Sequence, residues 1–147
     1  MKLSTRARYG TRALLDLALH SGDNPVQLKD IARRQDVSLH YLEHIISPLV
    51  GAGIVTSLRG VGGGLRLARR PQEIKLSEVV ELLEGTLTPV QCLGSPEVCD
   101  RVESCVTREV WDELGQAMNA YLSSITLKDL VDRHRAKEGR GKAMYHI

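Results

Sequence analysis

The chain has 147 residues, 42% of them hydrophobic, which is enough apolar material for a core that folds without disulfide staples. No apolar run approaches the roughly 20 residues of a membrane span, and the charged start is unlike a secretory signal, so we expect a cytoplasmic protein with reduced thiols. The net charge of +2 is unevenly spread, at +6 over residues 1–70, −5 over 71–105 and +1 over 106–147, and the basic leading segment hints at a polyanion partner.

The first part of the chain predicts three helices. Apolar residues at spacings of three and four predict helices over about 4–20, 28–35 and 39–52. Ser4 or Thr5 can cap the first helix, and Ser38, at the end of a tight turn, is a good N-cap for the third. Two short helices joined by about three residues are typical of a helix-turn-helix.

A glycine-rich hairpin follows these helices. Residues 54–58 and 65–68 predict two β-strands, and the sequence from Arg59 to Gly64 between them is too flexible for a helix. This hairpin would be the wing of a winged helix-turn-helix. The glycine cluster lacks the lysine and hydroxyl of a P-loop, so we do not expect a nucleotide site.

The second half of the chain is helical and acidic at its start. The sequence predicts a helix over 76–83 capped by Ser77, a long helix from Val106 to about Ser123, and a short helix over 127–131. The long helix carries an apolar stripe that we expect to pair with a second copy of the chain. That stripe comprises Val110, Leu114, Ala117, Met118 and Tyr121.

The sequence therefore predicts a mainly α fold with a small β-hairpin wing and a long C-terminal dimerisation helix. We divide it into a winged helix-turn-helix domain (1–70), an acidic helical connector (71–91), a cysteine loop (92–105), the dimerisation helix with a short terminal helix (106–132) and a disordered tail (133–147).

All three cysteines, Cys92, Cys99 and Cys105, fall within one fourteen-residue stretch. Such clustering indicates metal ligation or redox chemistry, because core cysteines have no reason to gather. An iron-sulfur cluster, zinc with a further oxygen or histidine ligand, and a thiol redox switch all remain open. An enzyme or electron carrier is disfavoured, since there is no C-x-x-C motif and three cysteines do not make a ferredoxin set.

In order and spacing, the short motifs of this chain resemble those of the Rrf-type family of winged-helix transcriptional regulators, and most of all its IscR branch, from Met1 to about Asp132. The motifs that carry the resemblance are Met1-Lys2-Leu3-Ser4, Arg8-Tyr9, Ser38-Leu39, Tyr41-Leu42-Glu43, Arg59-Gly60, Gly62-Gly63-Gly64, the three cysteines and Leu127 to Val131. The resemblance implies a homodimer that binds a palindromic operator in double-stranded DNA, and we expect a repressor rather than an enzyme.

In a helix-turn-helix the first turns of the second helix enter the major groove, so we expect the third helix of this chain to do so. Arg59 opens the wing turn and is suited to an adjacent narrow minor groove. Glu43 suits a cytosine amino group, while hydroxyls and imidazoles suit phosphate or base edges. The candidate DNA-binding residues are Ser38, His40, Tyr41, Glu43, His44, Arg59 and Gly60. A further set of basic residues either positions the protein on the DNA backbone or is plain surface charge: Lys2, Arg6, Arg8, Arg12, Lys29, Arg33 and Arg34.

The same resemblance implies that Cys92, Cys99 and Cys105 bind an iron-sulfur cluster that senses iron-sulfur status, redox state or nitric oxide. A [2Fe–2S] cluster is favoured over [4Fe–4S]. The C-x6-C-x5-C spacing differs by one residue from the IscR pattern, and Arg108 stands where that branch has a histidine, while Arg8 stands where the NsrR branch can use a carboxylate. The fourth ligand is therefore unassigned, and its candidates are Asp100, Glu103, Glu109, solvent or a small thiol. A cluster-free regulator that uses a redox switch, zinc, a metabolite or a partner protein is the alternative.

Overall fold

The computed structural model describes residues 2–144, with side chains described as far as Gly141. This part of the chain forms seven α-helices and one antiparallel hairpin, which confirms the predicted mainly α, winged helix-turn-helix fold. The helices are α1 (Thr5–His20), α2 (Leu28–Gln35), α3 (Leu39–Gly51), α4 (Leu76–Glu84), α5 (Gln91–Gly94), α6 (Val106–Ser124) and α7 (Leu127–Met144), and the strands are β1 (Val55–Leu58) and β2 (Gly64–Leu67).

Helix caps define the helix-turn-helix. The Ser4 hydroxyl accepts from the backbone N–H of Ala7 and the Ser38 hydroxyl from that of Tyr41, each at 3.1 Å, so both predicted caps form. Asp36 ends α2 in the left-handed conformation, with φ of 54°. Because a left-handed residue turns the chain sharply, only three residues separate α2 from α3.

The wing is tied to the start of α2. β1 and β2 pair from Val55 with Leu67 to Leu58 with Gly64. Val26 forms a further antiparallel bridge with Leu65 through N–O distances of 2.9 and 2.7 Å. Gly64 has φ of 150°, and a Cβ there would lie 2.7 Å from the carbonyl oxygen of Val26, so this close approach requires glycine.

One hydrophobic core joins α1 to α4 and the wing. Leu14, Leu42 and Leu49 are almost completely buried, and Val79 and Leu83 of α4 belong to the same cluster. The packing therefore continues past residue 70, where the sequence suggested a boundary. α4 begins after Lys75, without a side-chain cap, so the predicted Ser77 cap is wrong.

α6 and α7 differ in their contacts. α6 has no buried residue, and it packs on α4 and the preceding chain at Gly115, whose Cβ position is 3.1 Å from Pro89. α7 continues to Met144, whereas the sequence predicted a helix that ends at Val131 and a disordered tail from residue 133. An ion pair one turn apart, Lys128 with Asp132, supports its polar part, and His134 lies 3.4 Å from Glu138 one turn further along. The end of the predicted tail, 145–147, lies outside the described residues.

Over the part of the chain that the structure describes, no helix is both long and apolar enough to cross a membrane.

Candidate DNA-binding surface and cysteine segment

The first turns of α3 present a polar face to solvent. Leu42 and Ile45 are buried, and this fixes the opposite side of the helix outward. The side chains of His40 and Glu43 are 82% and 55% exposed, and His44 is also exposed. These three residues lie together: the Nε2 atoms of His40 and His44 are 3.1 Å apart, and Nδ1 of His40 is 3.8 Å from Oε2 of Glu43.

Two other candidates on this helix also have structural contacts. The Ser38 hydroxyl accepts the capping hydrogen bond from Tyr41. The half-buried Tyr41 ring packs edge-on against Tyr9 of α1, with ring centroids 6.2 Å apart. Arg12 covers Tyr9 at 5.0 Å from the ring centroid. Sequence reasoning missed this cluster, and its only local signal is the spacing of Tyr9 and Arg12, one turn apart on α1.

Arg59 and Gly60 lie on a different element, the turn of the wing. Gly60 has φ of 90°, and its carbonyl accepts from the backbone N–H of Gly63 at 3.0 Å. Arg59 is exposed and forms no hydrogen bond or ion pair with any residue that the structure describes. Its guanidinium is thus available to an external anion, although no direct contact links it to the α3 cluster.

A buried ion pair fixes α2 against α1. Asp16 is 4% exposed, and its carboxylate accepts hydrogen bonds from Arg34 at 2.7 to 3.1 Å and from Gln35 at 2.8 Å. Burial by itself raises the pKa of Asp16, but these hydrogen bonds and the charge of Arg34 outweigh it, so the pKa lies below its ordinary value. Arg34, a candidate for contact with the DNA backbone, therefore has a structural role.

The three cysteines lie on separate short elements between α4 and α6. Cys92 is on α5, Cys99 follows a 3₁₀ turn over Pro96–Val98, and Cys105 is the N-cap residue of α6. All three thiols are free; Cys99 is exposed, and the other two are partly exposed. Sequence reasoning expected a loop here and missed both α5 and the 3₁₀ turn.

The surroundings of Cys105 favour its thiolate form. A hydrogen bond with the Thr107 hydroxyl at 3.2 Å, backbone N–H groups of Arg108 and Thr107, and the charge of Arg101 lower its pKa. Its place at the start of a 19-residue helix acts in the same direction, because a helix N-terminus stabilises negative charge.

Arg108, at the position where a histidine ligand would be expected, has a different partner. Its Nε atom donates to the carbonyl oxygen of Cys92 at 3.4 Å, so it links the first turn of α6 to α5. A guanidinium has no lone pair for a metal. Arg108 therefore has a structural contact with α5 in this chain. Residue 108 cannot supply the fourth ligand.

The cysteine segment suits an iron-sulfur cluster in the kind of donor it offers, since thiolates are the usual ligands of such clusters. Among the described residues, however, no three histidine, cysteine or acidic side chains converge on one point. The three sulfur ligands proposed from the sequence are therefore close along the chain but not gathered in this conformation.

The capped α3, the short turn before it and the attached wing define a winged helix-turn-helix transcriptional regulator, with thiols placed between its DNA-reading half and its long helix. The family model described as "Rrf2: Iron-dependent Transcriptional regulator" matches residues 3–133, and the chain belongs to this family. This confirms the family expected from the motifs.

The chain is also similar to individual proteins and solved structures. Protein rrf2 of Nitratidesulfovibrio vulgaris is 46% identical over 89% of this chain and 87% of its own length. The solved structure of T. potens IscR is 40% identical, covers 91% of this chain and 88% of its own, and has a TM-score of 0.75. The structure of CymR, the global cysteine regulator of B. subtilis, is 37% identical, covers 90% and 98%, and also has a TM-score of 0.75.

Proposed function

We propose that this protein is a homodimeric, sequence-specific repressor whose affinity for a palindromic operator depends on the state of its cysteine segment. Two features of the structure carry the proposal together. One is the exposed polar face of α3, a capped helix anchored in the core; the other is Arg59 of the wing, which has no partner among the described residues. A helix anchored on one side and polar on the other is what major-groove reading requires.

Each residue of this surface has a chemical role in the proposal. Glu43 accepts a hydrogen bond from a cytosine amino group, and His40 and His44 contact base edges or phosphates. The hydroxyls of Ser38 and Tyr41 donate to phosphate while their other contacts hold the helix. Arg59 enters the minor groove, and Gly60 lets the backbone of the wing approach the DNA closely.

The homodimer is proposed from α6. One side of this helix faces α4, where Asp112, Gly115 and Asn119 line a shared cavity. The opposite side carries Val110 and Tyr121, which are 54% and 60% exposed. An apolar stripe of this kind on an otherwise folded chain favours self-association about a twofold axis. The axis would place two copies of α3 on half-sites about 34–36 Å apart, or a multiple of that distance.

For the sensor, we propose that Cys92, Cys99 and Cys105 hold an iron-sulfur cluster, with [2Fe–2S] favoured. When bound, such a group supplies iron that reacts with oxygen or nitric oxide and changes oxidation state. The residues of the chain contribute thiolates, which the lowered pKa of Cys105 favours there, and a connection from Cys105 straight into α6. Gathering the three sulfur atoms would reorder the segment between α4 and α6, and so change the spacing of the two recognition helices.

A second candidate is a thiol redox switch without a cluster. The free and partly exposed thiols and the lowered pKa of Cys105 support it, because a thiolate is the form that oxidants attack. The likeness to CymR, named as a cysteine regulator, also fits a family member whose signal is not a cluster.

The test is to purify the protein anaerobically and to measure its iron and sulfide content, its visible absorbance and its affinity for an operator selected from random duplexes. Cluster binding predicts iron, sulfide and a visible chromophore that Cys92→Ala removes and that the matched control Ser104→Ala retains. Operator affinity should differ between the iron-loaded and the iron-free protein. Colourless protein whose affinity changes with oxidants would favour the redox switch, and protein without sequence preference for DNA would refute the regulatory proposal.

A further inference from the structure

The two histidines on α3 form a close pair on the solvent-exposed face. Nε2 of His44 lies 3.1 Å from Nε2 of His40, and the rings are nearly perpendicular, with centroids 4.5 Å apart. When both rings are neutral, only one of the facing nitrogens can carry the shared proton, and the other directs a lone pair toward it. Two nitrogens so placed can serve a single metal ion in place of the proton.

The distance between these nitrogens suits a metal chelate. Two metal–nitrogen bonds of about 2.05 Å that span 3.1 Å enclose an angle of about 98°, between the octahedral and tetrahedral values. Histidines one helical turn apart are also how zinc enzymes hold their metal, and His40 to His44 reads H-x-x-E-H.

Glu43 supports the same arrangement from the far side of the His40 ring. Its Oε2 atom is 3.8 Å from Nδ1 of His40, the nitrogen that does not face His44. A carboxylate near this nitrogen favours the tautomer with the proton on Nδ1, which leaves Nε2 free to bind a metal. In many histidine–metal sites a carboxylate lies beside the ring nitrogen that does not bind the metal.

We infer that His40 and His44 bind a divalent transition-metal ion that prefers imidazole, such as Zn²⁺ or Ni²⁺, and that this ion and operator DNA exclude each other. No third ligand of the described chain converges on the pair, so water completes the coordination and the ion exchanges freely. The exclusion rests on the proposed function, because it requires α3 to be the reading helix. A hydrated ion would occupy the outermost polar atoms of that helix and remove both imidazoles from base contact.

The size of the effect follows from competition for one surface. If the ion is present at ten times its own dissociation constant and binds only free protein, the apparent operator affinity falls about 11-fold for each protomer.

The metal site itself is tested by titrating Ni²⁺ into the full-length protein while the histidine ring nitrogens are followed by ¹⁵N NMR. The Nε2 signals of His40 and His44 should shift or broaden together, and His40→Gln should abolish the response of His44. His20→Gln is the matched control, since His20 is an exposed histidine on α1 whose neighbour one turn earlier is Asp16 rather than a histidine. Binding that leaves the two α3 rings unchanged, or that survives His40→Gln, would overturn the inference.

The exclusion is tested by fluorescence anisotropy of labelled operator with and without Ni²⁺. The ratio of the two affinities within each protein is compared, since His40 and His44 also belong to the proposed DNA contact. With Ni²⁺ at ten times its dissociation constant, the affinity without the ion divided by the affinity with it should be about 11 for each protomer that binds DNA, in the parent protein and in His20→Gln. The same ratio should be close to one for His40→Gln and His44→Gln. A ratio of one or below in the parent protein refutes exclusion. Failure of the metal-free parent protein to bind any operator would instead refute the proposed function, and the NMR titration would still decide the metal site.

Discussion

At the scale of single residues, Arg59 allows the proposed DNA contact to be tested apart from folding, because its side chain has no partner among the described residues of its own chain. We expect Arg59→Ala to weaken operator binding by about 1–3 kcal/mol, as for one good base contact. Anisotropy measurements with the selected operator give this difference directly.

The matched control for Arg59 is Arg70→Ala. Arg70 is another exposed arginine, paired only with Glu73 at 2.8 Å. Its replacement should change operator affinity little, and equal losses for the two variants would indicate a general effect of charge rather than a contact made by the wing.

Asp16 has the opposite character, because its role is structural. Asp16→Asn removes the charge that Arg34 and Gln35 surround, and we expect it to lower the free energy of unfolding by about 3 kcal/mol, near the lower limit for a broken buried pair because Arg34 is 29% exposed. Urea unfolding at neutral pH measures this loss. Asp132→Asn, in an exposed pair with Lys128, should cost less than about 0.5 kcal/mol.

The lowered pKa of Asp16 also fixes the sign of a pH effect. A carboxyl group whose pKa is lower in the folded protein contributes stability above its ordinary pKa of about 3.9, and this stability is lost as the pH falls through the folded value. The stability difference between the parent protein and Asp16→Asn should therefore be constant from pH 7 to about 5 and shrink at lower pH. A difference that grows on acidification would contradict this assignment.

At the scale of elements, the shape of the wing depends on Gly63. A Cβ at this position would overlap the carbonyl oxygen of Leu58 and lie 2.9 Å from that of Gly60. Gly63→Ala should strain the turn by about 1–3 kcal/mol and, by moving Arg59, reduce operator affinity more than tenfold. Gly22→Ala, where a Cβ meets nothing within 4 Å, should leave binding unchanged. Thermal unfolding followed by circular dichroism checks that both variants remain folded.

Local signals were enough to predict the helix-turn-helix and the wing. Ser4 and Ser38 cap their helices through hydrogen bonds within three residues, so α1 and α3 begin where the sequence places them. The start of α4 at Leu76 also agrees with the prediction, but what precedes and fixes it could not be predicted in this way, because Ser77 is not its cap. Lys75 bridges Thr126 and the N–H of Leu76 bonds to Ile125, contacts that depend on how α7 packs and not on the serine next in the chain.

The sequence was enough to predict which residue types the candidate site contains, but not how they are arranged in space. The residue types of α3, the wing and the cysteine segment were visible in the sequence. The packing of Tyr9 on Tyr41 and of Asp16 on Arg34 joins different helices, and no periodicity within one helix reveals it. The length of α7 was missed because Gly139 and Gly141 suggested a tail, whereas side-chain contacts one turn apart, such as Lys128 with Asp132, support the helix.

At the scale of the whole molecule, the exposed apolar stripe of α6 means that a single substitution there should change the proposed oligomeric state. Val110→Glu would bury a charge on both sides of a twofold interface, so we expect the dimer to dissociate. Analytical ultracentrifugation should give about twice 16.3 kDa for the parent protein and about 16.3 kDa for the variant. Gln116→Lys adds a charge to α6 away from the stripe, keeps a donor beside Asp112, and should remain dimeric. A parent protein that sediments as a monomer would refute the proposed dimer.

The first residues of the chain lie close to that stripe. The backbone N–H of Ser4 donates to both carboxylate oxygens of Glu84 at 3.0 Å, and Lys2 and Leu3 line a cavity of about 550 Å³ together with Met118 and Tyr121. An affinity tag fused ahead of Lys2 would therefore emerge beside the surface proposed for self-association. A tag carried beyond α7 would instead follow residues 135–140, whose side chains are all exposed.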